Sequence, residues 1–146
     1  MTIALASDHA GFPLKSKIKT HLEQNGIAVE DYGTYKSDSV DYPDYGVFAA
    51  RAVAKDKAER GILICGTGIG MSIVANKVQG IRAALCTSIE MAEMSRRHNN
   101  ANILVMGGRI IDHDLAIKIV DIWLSTPFEG DRHLKRITKI HQLTGR

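Results

Sequence analysis

Short apolar runs alternate with amphipathic segments along the whole of this 146-residue chain. Strands are predicted where Ile, Leu, Val and Ala follow one another closely, over residues 2–7, 27–31, 61–65, 81–86 and 101–106. Helices are predicted over residues 13–24, 44–57, 88–97, 112–124 and 131–143, and one more runs from a glycine-rich loop to about residue 77. We therefore expect one α/β domain that covers residues 1–146.

The near-continuous apolar runs indicate strands that are buried on both faces, as in a parallel sheet covered by helices. The fold class expected is a Rossmann-like three-layer domain: a five-stranded parallel sheet, helices on both faces, and a C-terminal helix that could extend toward a partner subunit. In such sheets ligands bind beyond the carboxyl ends of the strands. The segments in which to look for a site are therefore residues 7–11, 33–44, 65–70, 86–90 and 107–109.

Composition narrows the class of protein only moderately. The chain is 45% hydrophobic and 24% charged, which is ordinary for a globular protein, and its net charge of +3 is too small to indicate nucleic-acid binding. No apolar run approaches the roughly 20 residues of a membrane span, and we expect no secretory signal, because the first residues read as a strand. The two cysteines, Cys65 and Cys86, cannot form a disulfide scaffold, so we expect a reduced, cytoplasmic protein.

A glycine-rich loop follows the third predicted strand. Its sequence is Cys65-Gly66-Thr67-Gly68-Ile69-Gly70. The spacing is neither that of a dinucleotide-binding fingerprint nor that of a P-loop. The glycines could form only a tight turn, and Cys65 could be a small buried hydrophobe. Alternatively, the loop amides cradle an anion at the start of a helix, which would also favour the thiolate form of a cysteine.

Two further segments allow both structural and chemical interpretations. Asp8 and His9 follow the first strand, where Asp8 could cap a helix or the pair could contact a ligand. His98 and Asn99 come at the end of a helix, where they could form a turn or act as an acid/base and an oxyanion donor. The six histidines show no metal-binding spacing, so no metal site is expected.

Basic residues share one face of the last helix. Arg132, Arg136 and Lys139 are spaced i, i+4 and i+7, and Arg109 follows a Gly-Gly turn. Guanidinium groups at this spacing can grip a phosphate, although a solvated helix face would look the same. No aromatic residue lies among the arginines, which argues against nucleic acid.

Taken together, five segments match a known family in its own order. They are Ser7-Asp8-His9-Ala10-Gly11, Asp41-Tyr42-Pro43, the glycine-rich loop, Arg97-His98-Asn99 and Glu129-Gly130-x-Arg132-His133-x-x-Arg136. The chain thus resembles ribose-5-phosphate isomerase type B, a family that includes the galactose-6-phosphate isomerase subunits. The resemblance covers essentially the whole chain.

The resemblance implies an aldose–ketose isomerase that interconverts ribose 5-phosphate and ribulose 5-phosphate through a cis-enediolate, without metal or cofactor. It implies that Cys65 is the catalytic base and that Thr67 assists proton movement. The amides of Gly66, Gly68 and Gly70 would form the anion hole, aided by Asn99. Some family members have serine in place of the cysteine and a carboxylate further along the loop; residue 65 here is Cys, so the cysteine version applies.

The resemblance also implies roles outside the loop. His98 corresponds to the ring-opening residue, Asp8 to a sugar contact, and Tyr42 to a residue lining the sugar. The residues that match the phosphate ligands are His9, Arg109, Arg132 and Arg136. Family members are homodimers or dimer-based tetramers, with His98, Asn99 and Arg109 reaching into the partner's site.

Two alternatives stay open at this point. The same chemistry could act on a six-carbon phosphate such as allose or galactose 6-phosphate. The chain could also be a non-catalytic module that binds a sugar phosphate or nucleotide. A role for Cys86 beyond packing is not decided by the sequence.

Overall fold

The computed structural model describes all 146 residues and contains five strands and six helices. The strands are β1 (Thr2–Ser7), β2 (Ala28–Asp31), β3 (Arg60–Cys65), β4 (Ala83–Leu85) and β5 (Ile103–Gly107). The helices are α1 (Phe12–Gln24), α2 (Tyr42–Ala54), α3 (Ile69–Asn76), α4 (Ile89–Arg97), α5 (His113–Ser125) and α6 (Arg132–Thr144). No helix is both long and apolar enough to span a membrane.

All strands run parallel in the order β2-β1-β3-β5-β4, which confirms the predicted five-stranded parallel sheet. The three central strands are almost wholly buried, as their apolar runs indicate. The outer strands β2 and β4 are half-buried or exposed, so the expectation of burial on both faces holds only for the centre of the sheet. An outer strand has a neighbour on one side only and receives less cover.

Two apolar layers cover the sheet. On one face Trp123 packs with residues of α1, α4 and α5. On the other face Met71 and the alanines of α2 pack against the alternate side chains of the central strands. Helices therefore lie on both faces, and the three-layer arrangement predicted from the sequence is confirmed.

The boundaries differ from the sequence prediction at a few places. Helix α2 begins at Tyr42 rather than residue 44, because Pro43 fits the first turn of a helix, where its missing N–H costs nothing. Strand β4 is shorter than predicted, since the Arg82 N–H donates to the Asn102 side chain instead of to a neighbouring strand (2.8 Å).

Strand direction fixes where the candidate segments lie. Ser7, Cys65 and Gly107 end their strands at one end of the sheet, which we call the carboxyl end. The loop between α4 and β5, residues 98–102, enters the sheet from the opposite end, the amino end.

Candidate active site

The glycine-rich loop turns the chain from β3 into α3 directly after Cys65. Gly68 adopts a left-handed conformation (φ +84°), which glycine tolerates at no steric cost, and its N–H donates to the Cys65 Sγ (3.2 Å). A donor aimed at sulfur stabilises negative charge there. The Thr67 hydroxyl accepts the Ile69 N–H (3.2 Å), whereas the N–H groups of Gly70 and Met71 make no hydrogen bond within the chain and are open to an anion.

Close packing holds this loop in place. A Cβ on Gly70 would overlap the phenol ring of Tyr42, and a Cβ on Gly107 would lie 2.5 Å from the Thr67 carbonyl. The loop is therefore packed tightly between Tyr42, the first residue of α2, and Gly107, the last residue of β5. Tyr42 thus reaches the loop from a distant part of the sequence.

A cleft of about 440 Å³ opens above the loop. Its lining residues are Asp8, Tyr42, Cys65, Gly66, Thr67, Ile69, Gly70 and Ile73. A mixed lining of this kind, with few polar groups on an apolar wall, is typical of small-molecule sites. The cleft brings together sequence-predicted site residues from β1, α2 and β3.

Asp8 is held at the rim of the cleft by the backbone around it. Its Oδ1 accepts the Gly11 N–H (2.9 Å), and its own N–H donates to the Ile64 carbonyl (3.3 Å). The N-cap of α1 is Gly11 itself, so the capping interpretation of Asp8 is wrong in detail, although Asp8 does satisfy the amide just before the helix. Its second carboxylate oxygen makes no hydrogen bond within the chain.

His9 has a defined hydrogen-bonding state. The Val40 N–H donates to its Nδ1 (3.1 Å), which requires a lone pair on that nitrogen and places the ring hydrogen on Nε2. The Nε2–H is then left as a donor. This bond also ties the segment before α2 to the end of β1.

Arg109 lies beside the loop of its own chain. Its N–H donates to the Gly66 carbonyl (3.0 Å), and the neighbouring Gly108 N–H donates to the Cys65 carbonyl (2.8 Å). The resemblance grouped Arg109 with His98 and Asn99 as residues that reach into a partner's site. The structure instead groups Arg109 with Cys65, because β5 delivers it to the carboxyl end of the sheet.

His98 and Asn99 lie at the amino end. The Asn102 carbonyl in the same loop accepts the Gly61 N–H at the start of β3 (2.9 Å), whereas Cys65 ends that strand. Gly61 and Cys65 are about 13 Å apart at roughly 3.3 Å per residue of strand. One chain therefore does not bring His98 and Asn99 to its own Cys65.

The start of α6 packs against this second group. The His98 and His133 rings stack with centroids 4.3 Å apart and an interplanar angle of 12°. Burial and the nearby Arg132 guanidinium lower the pKa of His133, with smaller contributions from His98 and Arg136. The candidate phosphate ligands Arg132 and Arg136 therefore belong with His98, and both are exposed.

Comparison with known proteins identifies the family. The family model described as Ribose/Galactose Isomerase matches residues 3–140. The chain belongs to the ribose/galactose isomerase family.

Individual family members are similar over nearly their full length. Ribose-5-phosphate isomerase B of Escherichia coli (strain K12) is 48% identical over 138 residues, which cover 94% of this chain and 93% of that protein. The ribose-5-phosphate isomerase B structure from Clostridium thermocellum superposes with a TM-score of 0.98 at 52% identity, covering 99% of this chain and 98% of that one. The Mycoplasma genitalium enzyme, solved with bound ribulose-5-phosphate, gives 0.95 at 43% identity, covering 99% and 97%. The family resemblance drawn from the five motifs is thereby confirmed.

Cys86, the second cysteine of this isomerase-family chain, lies outside the cleft. It is 2% exposed in the apolar layer that contains Trp123, and burial raises the pKa of its thiol to about 11. A neutral, enclosed thiol fills space, so the structure assigns Cys86 to packing.

The sequence interpretation gave no role to several residues that shape the His98 group. Glu129 and His133 touch His98, while Arg82 and Arg96 bind the carbonyls of its loop. The available signal was the last family motif, which contains Glu129 and His133 at i, i+4 spacing around the start of α6. The two arginines carried no signal, since their partners are backbone atoms brought near only by the fold.

Proposed function

We propose that this chain is an aldose–ketose isomerase that interconverts ribose 5-phosphate and ribulose 5-phosphate by proton transfer through a cis-enediolate. The observation that carries the proposal is the Cys65 thiol just before the start of α3, with the Gly68 amide 3.2 Å from its sulfur. Membership of the family supports it. So does the likeness to the Mycoplasma genitalium enzyme, whose structure holds ribulose-5-phosphate.

The chemistry assigned to the loop is removal of a carbon-bound proton. The Cys65 thiolate takes the proton from C2 of the open-chain aldose, and the electrons move onto O1 to give the enediolate. Return of a proton to C1, with loss of the proton on O2, gives the ketose. Thr67 is assigned the movement of protons between O1 and O2.

The loop amides other than that of Gly68, which donates to the Cys65 sulfur, are assigned to the enediolate rather than to the phosphate. Preorganised N–H donors aimed at a developing oxyanion are worth about 3–4 kcal/mol each in well-studied enzymes. The phosphate would then be bound by cationic and N–H groups around the cleft. Those groups are His9 and Arg109, with Arg132 and Arg136.

A complete site on this proposal needs two copies of the chain. His98, Asn99, Arg132 and Arg136 lie at or beyond the amino end of the sheet, whereas the cleft opens at the carboxyl end. The apolar side chains around the cleft are exposed in a single chain, Ile69 by 57% and Ile73 by 55%. We infer a homodimer, or a tetramer built from dimers, in which one copy supplies the cleft and the other supplies His98. We expect this enzyme to act in the cytoplasm.

Proton exchange tests the reaction directly. Ribose 5-phosphate is incubated with the wild-type protein in deuterated buffer and followed by NMR. We expect ribulose 5-phosphate to form with deuterium from solvent at the transferred position. Binding without exchange or conversion would overturn the proposal and favour a sugar-phosphate-binding module. A higher kcat/KM for allose or galactose 6-phosphate would move the assignment to a six-carbon sugar.

Mixing two inactive variants tests the shared site. Cys65→Ala and His98→Ala chains are each expected to be inactive alone, but a mixed dimer contains one site with both residues intact. Coexpression should restore about a quarter of wild-type activity, because half of randomly paired dimers are mixed and each has one intact site. A mixture no more active than its separate components would show that the site lies within one chain.

A further inference from the structure

Glu129 stands between an arginine and two histidines at the start of α6. Its Oε1 accepts from the Arg97 Nε (2.6 Å), and its backbone N–H donates to the Arg97 carbonyl (3.1 Å). Its Oε2 lies 3.4 Å from the His133 Nε2 and 4.0 Å from the His98 Nε2. The carboxylate is thus fixed by Arg97 on one side and faces both imidazoles on the other.

The side chains of His98, Glu129 and His133 offer nitrogen and oxygen ligands that suit zinc, but their geometry does not suit it. The ligand atoms of His98, Glu129 and His133 lie within 4.8 Å of one another. A metal lies near the plane of each imidazole that binds it, so two rings sharing one ion must have planes that meet at the ion. The His98 and His133 rings are within 12° of parallel. Their nitrogens point alongside each other, which favours a role in orienting His98.

The backbone of the His98 loop is already fixed from outside. The Asn99 and Asn100 carbonyls accept from the Arg82 guanidinium (2.9 Å each), and the Ala101 carbonyl accepts from Arg96 (2.6 Å). With Glu129 bonded to the Arg97 carbonyl, the backbone on both sides of His98 is held by distant residues. What stays free is the rotation of the His98 side chain.

Two contacts restrict that rotation. His133 is 5% exposed, and its ring offers His98 a flat, immobile surface. A stacking contact fixes the plane of a ring but not which edge faces outward. The Glu129 carboxylate sets the edge, because it attracts the Nε2 side of the ring and leaves Nδ1 to face away from it.

We propose that Glu129 is a positioning residue that acts through His98 in opening the sugar ring. This inference rests on the proposed function. In ring opening His98 accepts the proton of the C1 hydroxyl, the C1–O4 bond breaks, C1 becomes a carbonyl, and O4 takes a proton from a solvent water. His98 becomes positively charged when it takes that proton, and the nearby carboxylate stabilises this charge. Glu129 touches no substrate atom in this scheme.

The test compares a substrate that must be opened with one that is already open. Ribose 5-phosphate exists as a furanose closed through O4. Ribulose 5-phosphate is acyclic, because closure of its five-membered ring needs the oxygen that carries phosphate. Turnover of ribose 5-phosphate therefore requires ring opening, whereas exchange of the C1 proton of ribulose 5-phosphate with deuterated solvent requires only the proton transfer assigned to Cys65.

Glu129→Gln keeps the shape of the side chain and removes its charge. We expect kcat for ribose 5-phosphate to fall about tenfold, a part of the roughly 10²–10⁴-fold that a positioned acid or base supplies, with KM within about twofold. We expect C1 exchange of ribulose 5-phosphate to change by less than about twofold. Glu93→Gln is the matched control, since Glu93 also contacts Arg97 (3.3 Å) but makes no recorded contact with His98. It should leave both rates unchanged.

Two results would overturn the inference. If Glu129→Gln slows ring-dependent turnover and C1 exchange by the same factor, Glu129 serves the structure of the site as a whole. If it slows neither, Glu129 is only a surface ion pair. Urea denaturation of both variants checks that any loss is not unfolding. The wild-type protein distinguishes failure of this inference from failure of the proposed function. A wild type that shows neither turnover nor exchange would refute the isomerase assignment itself.

Discussion

Cys65 is the last residue of β3, and Cys86 comes directly after β4. Each cysteine is followed by a helix within four residues. After Cys65 comes the glycine-rich loop, in which the Thr67 hydroxyl accepts the Ile69 N–H at the start of α3 (3.2 Å). After Cys86 comes Ser88, whose hydroxyl caps α4 by accepting the Met91 N–H (3.1 Å). The start of α3 keeps the Gly70 and Met71 amides for a ligand, whereas at the start of α4 the Met91 amide is satisfied by Ser88.

The surroundings of the two thiols differ as the two helix starts do. The Cys65 sulfur receives an amide hydrogen and lines a cleft, while Cys86 sits in the core with its pKa raised by burial. Cys65 and Cys86 are the same residue type at similar places relative to their strands, so neither the residue type nor the position decides which thiol is catalytic. The residues that follow differ: the glycine-rich loop directs the Gly68 N–H to the Cys65 sulfur, whereas Ser88 caps α4 and Cys86 stays in the apolar layer.

Removing each thiol gives the largest expected difference between these two strand ends. Cys65→Ala should reduce kcat by about 10²–10⁴-fold, the usual contribution of a general base. Cys86→Ala should keep kcat within about twofold. Steady-state assay with ribose 5-phosphate measures both.

The stability of the two variants provides the control. Both thiols are buried in apolar layers, so we expect urea denaturation to give similar small losses in the free energy of unfolding for the two variants. Near-full activity of Cys65→Ala, or a large loss of activity in Cys86→Ala, would contradict the contrast drawn between the two thiols.

A smaller effect is expected from the cap itself. Ser88→Ala removes the acceptor for the Met91 N–H and should lower the free energy of unfolding by about 1 kcal/mol, without changing kcat. Urea denaturation followed by circular dichroism measures the first quantity. The matched variant Ser72→Ala alters a serine inside α3 whose side chain makes no cap, and it should cost less. Equal costs would mean that the Ser88 bond contributes nothing to α4.

The hydrophobic pattern was sufficient for the sheet and for most of the helices. Runs such as residues 61–65 are buried strands, and α1 buries Leu14, Ile18 and Leu22, which recur every fourth position. The pattern was less informative at the outer strands, where β4 is shortened by a side chain from a neighbouring loop. Local sequence does not reveal a competitor of that kind.

The candidate site was predictable where its residues follow strands. Asp8, Cys65 and Arg109 lie at the carboxyl end, as the general rule for parallel sheets requires. Which residues pair across the molecule was not predictable. The stack of His98 on His133 and the two bonds from Arg82 depend on how α6 and β4 pack, and neither contact leaves a periodic trace in the sequence.

The tight packing of the glycine-rich loop limits how this family can diversify. A Cβ on Gly70 would overlap Tyr42, and one on Gly107 would overlap Thr67. Substitutions at these two positions would displace the loop, so we expect them to be selected against. New substrate preferences must then arise on surfaces that can vary without disturbing the loop, such as the segment from Tyr35 to Val40. The backbone of the loop can in this way be inherited unchanged while the side chains around the cleft vary.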